Sequence, residues 1–359
     1  MQLRRLWLTD FRGYREADVT FDPGLTAVVG PNGQGKTNLL EAVAYLATLG
    51  SFRGAPTDAL IRSGAERAIV RAEADREGRA LLLEAELLLN GRNRTQLNKQ
   101  PLRRARDLLG ALRVSVFSPD DLALVKGSPG DRRRYLDEAL VALHPRYDQM
   151  QSDLDRVLRQ RSALLKQSGG RLSAEIELTL DVFDAKLVAA GEALAIARLE
   201  LVRDLEPLLG QAYDKVARES AEVRASYTAP WMDEGLASAL VAARKDDLRR
   251  GVSTVGPHRD DLHLVITGLP ARTHASQGEQ RSLALALRLA AHHVVTEQTE
   301  SSPVLLLDDV FSELDPGRSD ALLRSLPPGQ TILSTASVLP PGAVPGTVIE
   351  VQAGVARRV

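Results

Sequence analysis

The apolar positions divide the chain into two strand-rich parts and a helical middle. Apolar and polar residues alternate around Leu3, Leu6 and Leu8, and again at Val19 and Phe21, which predicts β-strands near the start. Further strands are predicted over residues 25–29, 69–74, 80–89 and 94–97, with Asn-Gly at 90–91 suited to a two-residue type I′ hairpin turn.

The middle of the chain has helical periodicity. Residues 146–166 and 173–205 predict two antiparallel helices joined at a Ser-Gly-Gly break, and the longer one would span about 50 Å. Strand patterns return at 262–267, 304–307, 331–334 and 347–351. We therefore predict an α/β fold in three segments: residues 1–117, a helical insertion at 118–250 that carries a short helical finger, and residues 251–359.

One glycine-rich stretch interrupts this pattern, between the strand at 25–29 and a predicted helix at 38–49. It matches G-x-x-x-x-G-K-[ST], in which backbone N–H groups curl around phosphates, a lysine reaches the β- and γ-phosphates and a hydroxyl binds Mg²⁺. The predicted ligands are ATP and Mg²⁺, and the predicted binding residues are Gly30, Pro31, Asn32, Gly33, Gln34, Gly35, Lys36 and Thr37.

The apolar strand at 304–307 ends in two acids, as a Walker B motif does. Asp308 is predicted to hold Mg²⁺ together with Thr37, and Asp309 to orient or deprotonate the attacking water. Lys36, Asp308 and Asp309 are therefore the predicted catalytic residues. The alternative is an ordinary strand followed by an acidic turn.

A second glycine-containing motif, at residues 275–281, begins a strongly apolar helix. Ser276 and Glu279 have the spacing of a capping box, which by itself would explain a helix start. Small polar groups and bare backbone at a helix N-terminus also suit a γ-phosphate. Ser276, Gly278 and Gln280 are accordingly predicted to contact nucleotide.

Composition adds few constraints. The 359 residues are 44% hydrophobic and 26% charged, which is typical of a folded protein with a large core. There is no cysteine, and no run approaches the roughly 18 apolar residues that cross a bilayer, so we expect a soluble cytoplasmic protein without a membrane partner. Because the net charge is −1, any contact with DNA must come from a local basic patch.

Taken in order, the motifs resemble the Rad50/SMC branch of the ATP-binding-cassette ATPases. They are Phe-Arg-Gly-Tyr at 11–14, the P-loop, the Ser-x-Gly-Glu-Gln signature, the paired acids, and Ser-Glu-Leu-Asp at 312–315, which resembles a D-loop. Within that branch, residues 117–122, 125–137 and 256–262 resemble the RecF family of bacterial recombination mediators. The resemblance spans residues 3 to about 335.

The resemblance implies an ATP-binding-cassette ATPase head with an inserted helical lobe. It further implies a DNA-binding protein that dimerises on ATP, with one subunit's P-loop facing the other's signature motif. As in this family, the chain is expected to act with RecR and RecO, to support loading of RecA at single-stranded gaps during recombinational repair, and to hydrolyse ATP as a release step.

Two positions depart from many cassette ATPases. Asp309 stands where glutamate is common, and the shorter side chain predicts slow, switch-like hydrolysis. After the strand at 331–333, residues 334–337 are Ser-Thr-Ala-Ser instead of a segment with a switch histidine, which leaves Thr335 as a weak γ-phosphate sensor. His258 is more readily structural than catalytic, whereas Arg259 is a better candidate for a phosphate or DNA contact.

The best DNA-binding candidate is a basic segment over residues 91–106 that contains no acid. Its cations could contact backbone phosphates without reading bases: Arg92, Arg94, Lys99, Arg103, Arg104 and Arg106. A solvated basic surface is an equally weighted alternative. The arginines at 132–134 are a second candidate, but neighbouring acids make an intramolecular network as plausible. Aromatic residues make up only 4%, which favours duplex or junction backbone over base stacking.

Three other functions were weighed. A transporter nucleotide-binding subunit is disfavoured because roughly 240 residues separate the P-loop from the signature. An SMC-like structural clamp is disfavoured because the arm is short and no hinge domain is present. A small-molecule P-loop kinase would have no use for the signature at 276–280.

Overall fold

The computed structural model describes residues 1–336 and 338–359. Ser337, which belongs to the segment weighed for a γ-phosphate sensor, lies outside the described residues. The helices are α1 Lys36–Thr48, α2 Thr57–Leu60, α3 Ala123–Lys126, α4 Pro129–Leu143, α5 Arg146–Gln167, α6 Ala174–Ala217, α7 Leu236–Arg250, α8 Ala271–His274, α9 Gln277–Thr299 and α10 Pro316–Ser325. The strands are β1 Gln2–Phe11, β2 Tyr14–Thr20, β3 Leu25–Val29, β4 Arg67–Arg76, β5 Arg79–Leu88, β6 Arg94–Leu97, β7 Gln100–Pro101, β8 Val114–Phe117, β9 Val223–Thr228, β10 Asp261–Ile266, β11 Leu269–Pro270, β12 Val304–Asp308, β13 Thr331–Thr335, β14 Thr347–Gln352 and β15 Val355–Arg358.

The strands form three sheets. The first is antiparallel, in the order β2-β1-β4-β5-β6-β7, and the second has the order β15-β14-β3-β13-β12-β8 with parallel pairing from β14 through β8. Helix α1 packs on strands of both sheets, and its apolar residues belong to one core with theirs. This arrangement confirms the predicted α/β head, with the P-loop at the end of β3.

The chain divides into two compact units. The first comprises residues 1–122, 208–221 and 276–359, and the second comprises residues 123–207 and 222–275. Residues 261–266 lie in the second unit because β10 pairs with β9 and with β11, which form the third sheet. The units therefore differ from the predicted three segments, which placed residues 251–275 with the ATPase part.

The long helix differs from its prediction. Helix α6 has 44 residues and continues through Pro207, so it spans about 66 Å instead of the expected 50 Å. Apolar contacts among Leu165, Leu180 and Leu248 join α5, α6 and α7. The finger thus includes α7 as well as the predicted pair. No helix of the described residues is long and apolar enough to cross a membrane.

The β5–β6 hairpin is present, but its turn was predicted wrongly. The strands are joined by residues 89–93, and of the Asn-Gly pair only Gly91 has a positive φ, at 116°. A type I′ turn needs positive φ at both residues. Instead, Asn93 Oδ1 accepts a hydrogen bond from the backbone N–H of Leu88 at 3.0 Å and closes a wider loop.

Candidate nucleotide site

The P-loop curls between β3 and α1, and its glycines take backbone conformations that other residues avoid. Gly30, Gly33 and Gly35 have φ values of 149°, 77° and 114°. Gly30 also has no room for a side chain, because an added Cβ would clash with the carbonyl oxygen of Val351. Helix α1 starts at Lys36, so its unpaired N–H groups and positive dipole end face the loop.

Lys36 is folded onto the loop that contains it. Its ammonium donates to the carbonyl oxygens of Gly30 and Pro31, both at 2.8 Å, and the residue is 6% exposed. Burial lowers the pKa of Lys36, and the charges of Asp309 and Asp308 oppose that shift. A cation held this way by backbone carbonyls can be transferred to phosphate oxygens without a change of fold.

The predicted metal ligands lie together. Strands β12 and β13 are parallel neighbours, which brings the hydroxyl of Ser334 to Oδ1 of Asp308 at 2.7 Å, and Thr37 at the start of α1 donates to the same oxygen at 2.9 Å. Burial raises the pKa of Asp308, and these two hydrogen bonds counteract the shift. One carboxylate and one hydroxyl suit Mg²⁺, which takes few protein ligands beside phosphates and water. Thr335 is 1% exposed on β13.

Asp309 stands at the end of β12 in a left-handed backbone conformation, with φ 49° and ψ 26°. Asp and Asn tolerate this conformation better than other non-glycine residues, which gives a physical reason for aspartate at this position. The backbone N–H of Asp309 donates to Ser334 Oγ at 3.1 Å. Its Oδ1 is buried and has no hydrogen-bond partner among the described residues.

The carboxyl-terminal hairpin supports the P-loop, which sequence patterns did not indicate. Gln34 Oε1 accepts the backbone N–H of Ala353 at 2.7 Å, and the Gln34 carbonyl accepts that of Gly354 at 3.3 Å. A Cβ on Gly354 would lie 2.6 Å from the carbonyl oxygen of Gly13. The side chain of Gln34 is thus engaged by β14–β15, which leaves its backbone N–H for a phosphate.

A buried ion pair behind α1 is a second feature that sequence patterns missed. Arg12 forms a two-pronged pair with Glu41, at 2.7 and 2.8 Å, and the carboxylate is fully buried. Ser51 also donates to Glu41. This network anchors the loop that contains Arg53, whose positive charge opposes the rise in the pKa of Asp308 that burial causes.

The signature residues lie at the start of α9, where the predicted capping box is present. Ser276 Oγ accepts the N–H of Glu279 at 3.3 Å, and Glu279 accepts the N–H of Ser276 at 2.6 Å. These hydrogen bonds lower the pKa of Glu279. Gln280, in contrast with the exposed Ser276, is 3% exposed.

Two arginines connect the signature motif with the D-loop-like segment. Arg281 donates to the carbonyl of Glu313 at 2.9 Å and pairs with its carboxylate at 3.0 Å. Arg318 covers Gly278 so closely that an added Cβ would lie 2.7 Å from Nη1. Asp315 holds Arg318 by accepting its backbone N–H at 2.9 Å, as the N-cap of α10. Neither arginine was a candidate from the sequence.

The predicted DNA-binding cations lie in the β5–β6 loop, in the β6–β7 hairpin and in the segment after it. Arg94 reaches Glu86 at 3.5 Å and Arg104 reaches Asp107 at 4.0 Å, and both arginines are strongly exposed. Lys99 is exposed at the β6–β7 turn with φ 66°. These contacts leave most of the positive charge at the surface.

The second basic cluster is used inside its own unit. Arg132 forms a bidentate ion pair with Asp261, at 2.7 and 2.8 Å. Arg133 donates to the backbone carbonyl of Asp260, and Arg134 forms an ion pair with Asp131. This is the intramolecular network that was weighed as the alternative.

His258 and Arg259 are likewise held by a local contact. His258 Nε2 lies 3.0 Å from the Ser253 carbonyl, and Arg259 donates to the same oxygen at 3.0 and 3.2 Å. Burial lowers the pKa of His258 to about 4. A half-buried neutral imidazole of this kind stabilises a turn.

Comparison with known proteins agrees with the family that the motif order indicates. Residues 2–331 match the model of the RecF/RecN/SMC N terminal domain family. The chain is 46% identical to the DNA replication and repair protein RecF of Streptomyces avermitilis, with all of both chains covered. It is 47% identical to the corresponding protein of Frankia alni, with 99% of this chain and 98% of that one covered.

Solved structures agree. The chain is similar to the recombination mediator protein RecF of the RecFOR pathway solved as RecF-ATPrS, with a TM-score of 0.91, 27% identity, and 99% and 98% of the two chains covered. The SMC head bound to a domain of ScpA shares the fold, with a TM-score of 0.59 at 19% identity over 100% and 97% of the chains. By sequence over its full length, by fold and by motif order, the chain belongs to the RecF family of DNA replication and repair proteins.

Proposed function

We propose that this chain is an ATPase whose ATP-bound form is a dimeric clamp on DNA at gaps or junctions. ATP with Mg²⁺ binds the half-site formed by residues 30–37, Asp308 and Asp309. Ser276 and Gly278 of a second copy complete the site. Hydrolysis then opens the clamp, and through RecR and RecO the closed form supports loading of RecA in the cytoplasm.

One observation carries the proposal. The chain contains a complete P-loop half-site and a complete signature half-site, and each is held by its own contacts. Lys36 and Asp308 bond within the P-loop and to the neighbouring strand β13, whereas Ser276 bonds to Glu279. An exposed helix N-terminus beside a glycine is suited to the γ-phosphate of a nucleotide presented by another copy.

The contacts of these residues support the following chemistry. Lys36 leaves the carbonyls of Gly30 and Pro31 for phosphate oxygens, and the backbone N–H groups of the loop neutralise further charge. Mg²⁺ bound by Thr37 and Asp308 would neutralise the charge that develops on the phosphates. Asp309 accepts the proton of the attacking water. Its short side chain positions that water less closely than glutamate would, which makes hydrolysis slow.

Loss of the γ-phosphate removes part of the dimer interface. ATP therefore selects the closed dimer because it binds that state better than the open one, and hydrolysis reverses the preference. The basic segment over residues 91–106 supplies contacts to DNA backbone phosphates. Affinity for DNA should accordingly fall steeply as salt rises.

Mass in solution, measured by light scattering with and without ATP, tests the composite site. The ATP affinity of Lys36→Ala should fall by at least about 100-fold, because the cation that binds the β- and γ-phosphates is absent. This variant should remain monomeric. Ser276→Arg should bind ATP within about twofold of wild type and also remain monomeric, because the new side chain fills the surface that receives the partner's nucleotide. A Ser276→Arg variant that dimerises on ATP would refute the composite site.

A further inference from the structure

The β5–β6 loop, β6 and the segment after β7 border an open cavity of about 530 Å³. Three apolar residues, Leu88, Pro101 and Leu102, form part of its lining, and three arginines, Arg92, Arg94 and Arg103, form another part. The volume falls within the roughly 300–1,000 Å³ typical of sites for small ligands. A concave site that combines apolar surface with cations suits a ligand that has an anionic end and a flat apolar part.

The positive charge of this cavity is not compensated. No lining residue is acidic. Across residues 1–336 and 338–359, Arg92 and Arg103 form no hydrogen bond or ion pair, and Arg94 reaches Glu86 only at 3.5 Å. Guanidinium groups bind phosphate oxygens in two-pronged geometry and also stack on flat rings. Phosphate esters of nucleosides meet both requirements.

Polar groups in the wall indicate a formed site instead of a loose surface depression. Thr95 lines the cavity, is 4% exposed, and its Oγ1 has no hydrogen-bond partner in the described part of the chain. An unpaired buried hydroxyl destabilises the free protein. The loop itself is fixed by Asn93, which bonds to the N–H of Leu88 at 3.0 Å and to Tyr45 at 3.3 Å.

We propose that this cavity binds one nucleoside phosphate unit. Its phosphate lies on Arg92 and Arg103, and its base or sugar packs on Leu88 and Leu102. Two sources share this chemistry: an unpaired nucleotide of a DNA strand and a free mononucleotide. For the first source, the inference rests on the proposed DNA binding. The proposal also divides the basic segment into two groups. The arginines at 92, 94 and 103 line the cavity, whereas Lys99, Arg104 and Arg106 do not. The proposal assigns the second group to contacts with the DNA backbone alone.

The DNA arm compares a blunt duplex with the same duplex carrying a two-nucleotide overhang, by fluorescence anisotropy with ATP at fixed salt. Wild type should prefer the overhang by roughly tenfold, as expected for one captured nucleotide. Arg103→Ala should lose that preference. Ala105→Phe, which fills the cavity without changing its charge, should lose the preference and keep the affinity for blunt duplex. Lys99→Ala, the matched control on the same hairpin, should weaken both substrates equally.

The free-nucleotide arm uses the full-length Lys36→Ala variant, in which the P-loop is disabled. Calorimetric titration with thymidine 5′-monophosphate should show binding that Arg103→Ala weakens at least about tenfold. This titration shows whether the cavity binds a nucleoside phosphate even if the protein does not bind DNA. Failure to bind DNA would reject only the proposed DNA contact. The inference is overturned if wild type shows no overhang preference and thymidine 5′-monophosphate does not bind, or if Lys99→Ala and Arg103→Ala have equal effects in both arms.

Discussion

The two half-sites in this chain are built in different ways. The P-loop half is enclosed by the core: Lys36 and Asp308 are each 6% exposed, and partners distant in sequence hold the loop from several sides. The signature half is the N-terminus of α9, which is capped by the hydrogen bonds between Ser276 and Glu279. The guanidinium of Arg318 lies over Gly278. In the proposed composite site, the half that is fixed before binding holds ATP alone, and the half built at the surface receives a nucleotide from another copy.

The largest expected effect is on the chemical step. Asp309→Asn keeps a residue that tolerates the left-handed backbone, so fold and ATP binding should remain. The variant lacks a proton acceptor, and kcat should fall by at least about 100-fold. Phosphate release measures hydrolysis, and light scattering should show an ATP dimer that persists longer than that of wild type. Unchanged hydrolysis would remove Asp309 from its assigned role.

Substitutions at two glycines test whether the β14–β15 hairpin constrains the P-loop. Gly30→Ala places a Cβ against the Val351 carbonyl, whereas Gly33→Ala meets no atom within 4 Å, and both have positive φ. Gly30→Ala should therefore cost about 3 kcal/mol of stability, more than the roughly 1 kcal/mol of backbone strain at Gly33. Urea unfolding gives both values. Equal losses would mean that the hairpin β14–β15 does not constrain the loop.

An arginine pair on α10 probes the signature half. Arg318→Ala uncovers Gly278 and removes the cation beside Glu279, so the ATP dimer should weaken by about tenfold while ATP affinity of the monomer stays within about twofold. Arg324→Ala is the control, since Arg324 is exposed on the same helix and pairs only with Asp320 in the described residues. Sedimentation with ATP measures dimerisation. If both variants behave like wild type, Arg318 has no part in positioning the signature.

A further effect, confined to acid pH, is expected outside both half-sites. His258 has a folded-state pKa of about 4, below its ordinary value near 6.5. Unfolding therefore takes up a proton as pH falls from about 6.5 to 4, and stability declines in that window by up to about 1.4 kcal/mol per pH unit. His258→Gln should flatten this slope and leave ATPase activity at pH 7.5 within about twofold. A large loss of kcat in a folded variant would instead give His258 a role in the reaction.

The sequence predicted the elements of the P-loop half well, because each motif is contiguous and lies between a strand and a helix with strong apolar patterns. It did not predict the contacts that hold the motif. Gln34 meets Ala353 across 319 residues of chain, and no periodicity encodes such a pairing. For the same reason, the sequence did not predict the Arg12–Glu41 ion pair or the position of Arg318 over Gly278.

Two local predictions failed for identifiable reasons. The Asn-Gly pair at 90–91 favours a tight turn, but the side chain of Asn93 closes a longer loop, and that loop borders the arginine-lined cavity. Proline usually ends a helix, yet α6 continues through Pro207. In the hairpin, the hydrogen bonds of the Asn93 side chain to Leu88 and Tyr45 outweighed the local preference for a tight turn.

The most direct test of the composite site mixes the two disabled proteins. Lys36→Ala retains an intact signature half and Ser276→Arg retains an intact P-loop half, so a mixed pair contains one complete site. With ATP, native mass spectrometry of the mixture should show a heterodimer, and ATP hydrolysis should recover to at most about half of the wild-type rate per dimer. Neither variant alone should dimerise. A mixture that stays monomeric and inactive, while wild type dimerises, would contradict the claim that each copy completes the other's site.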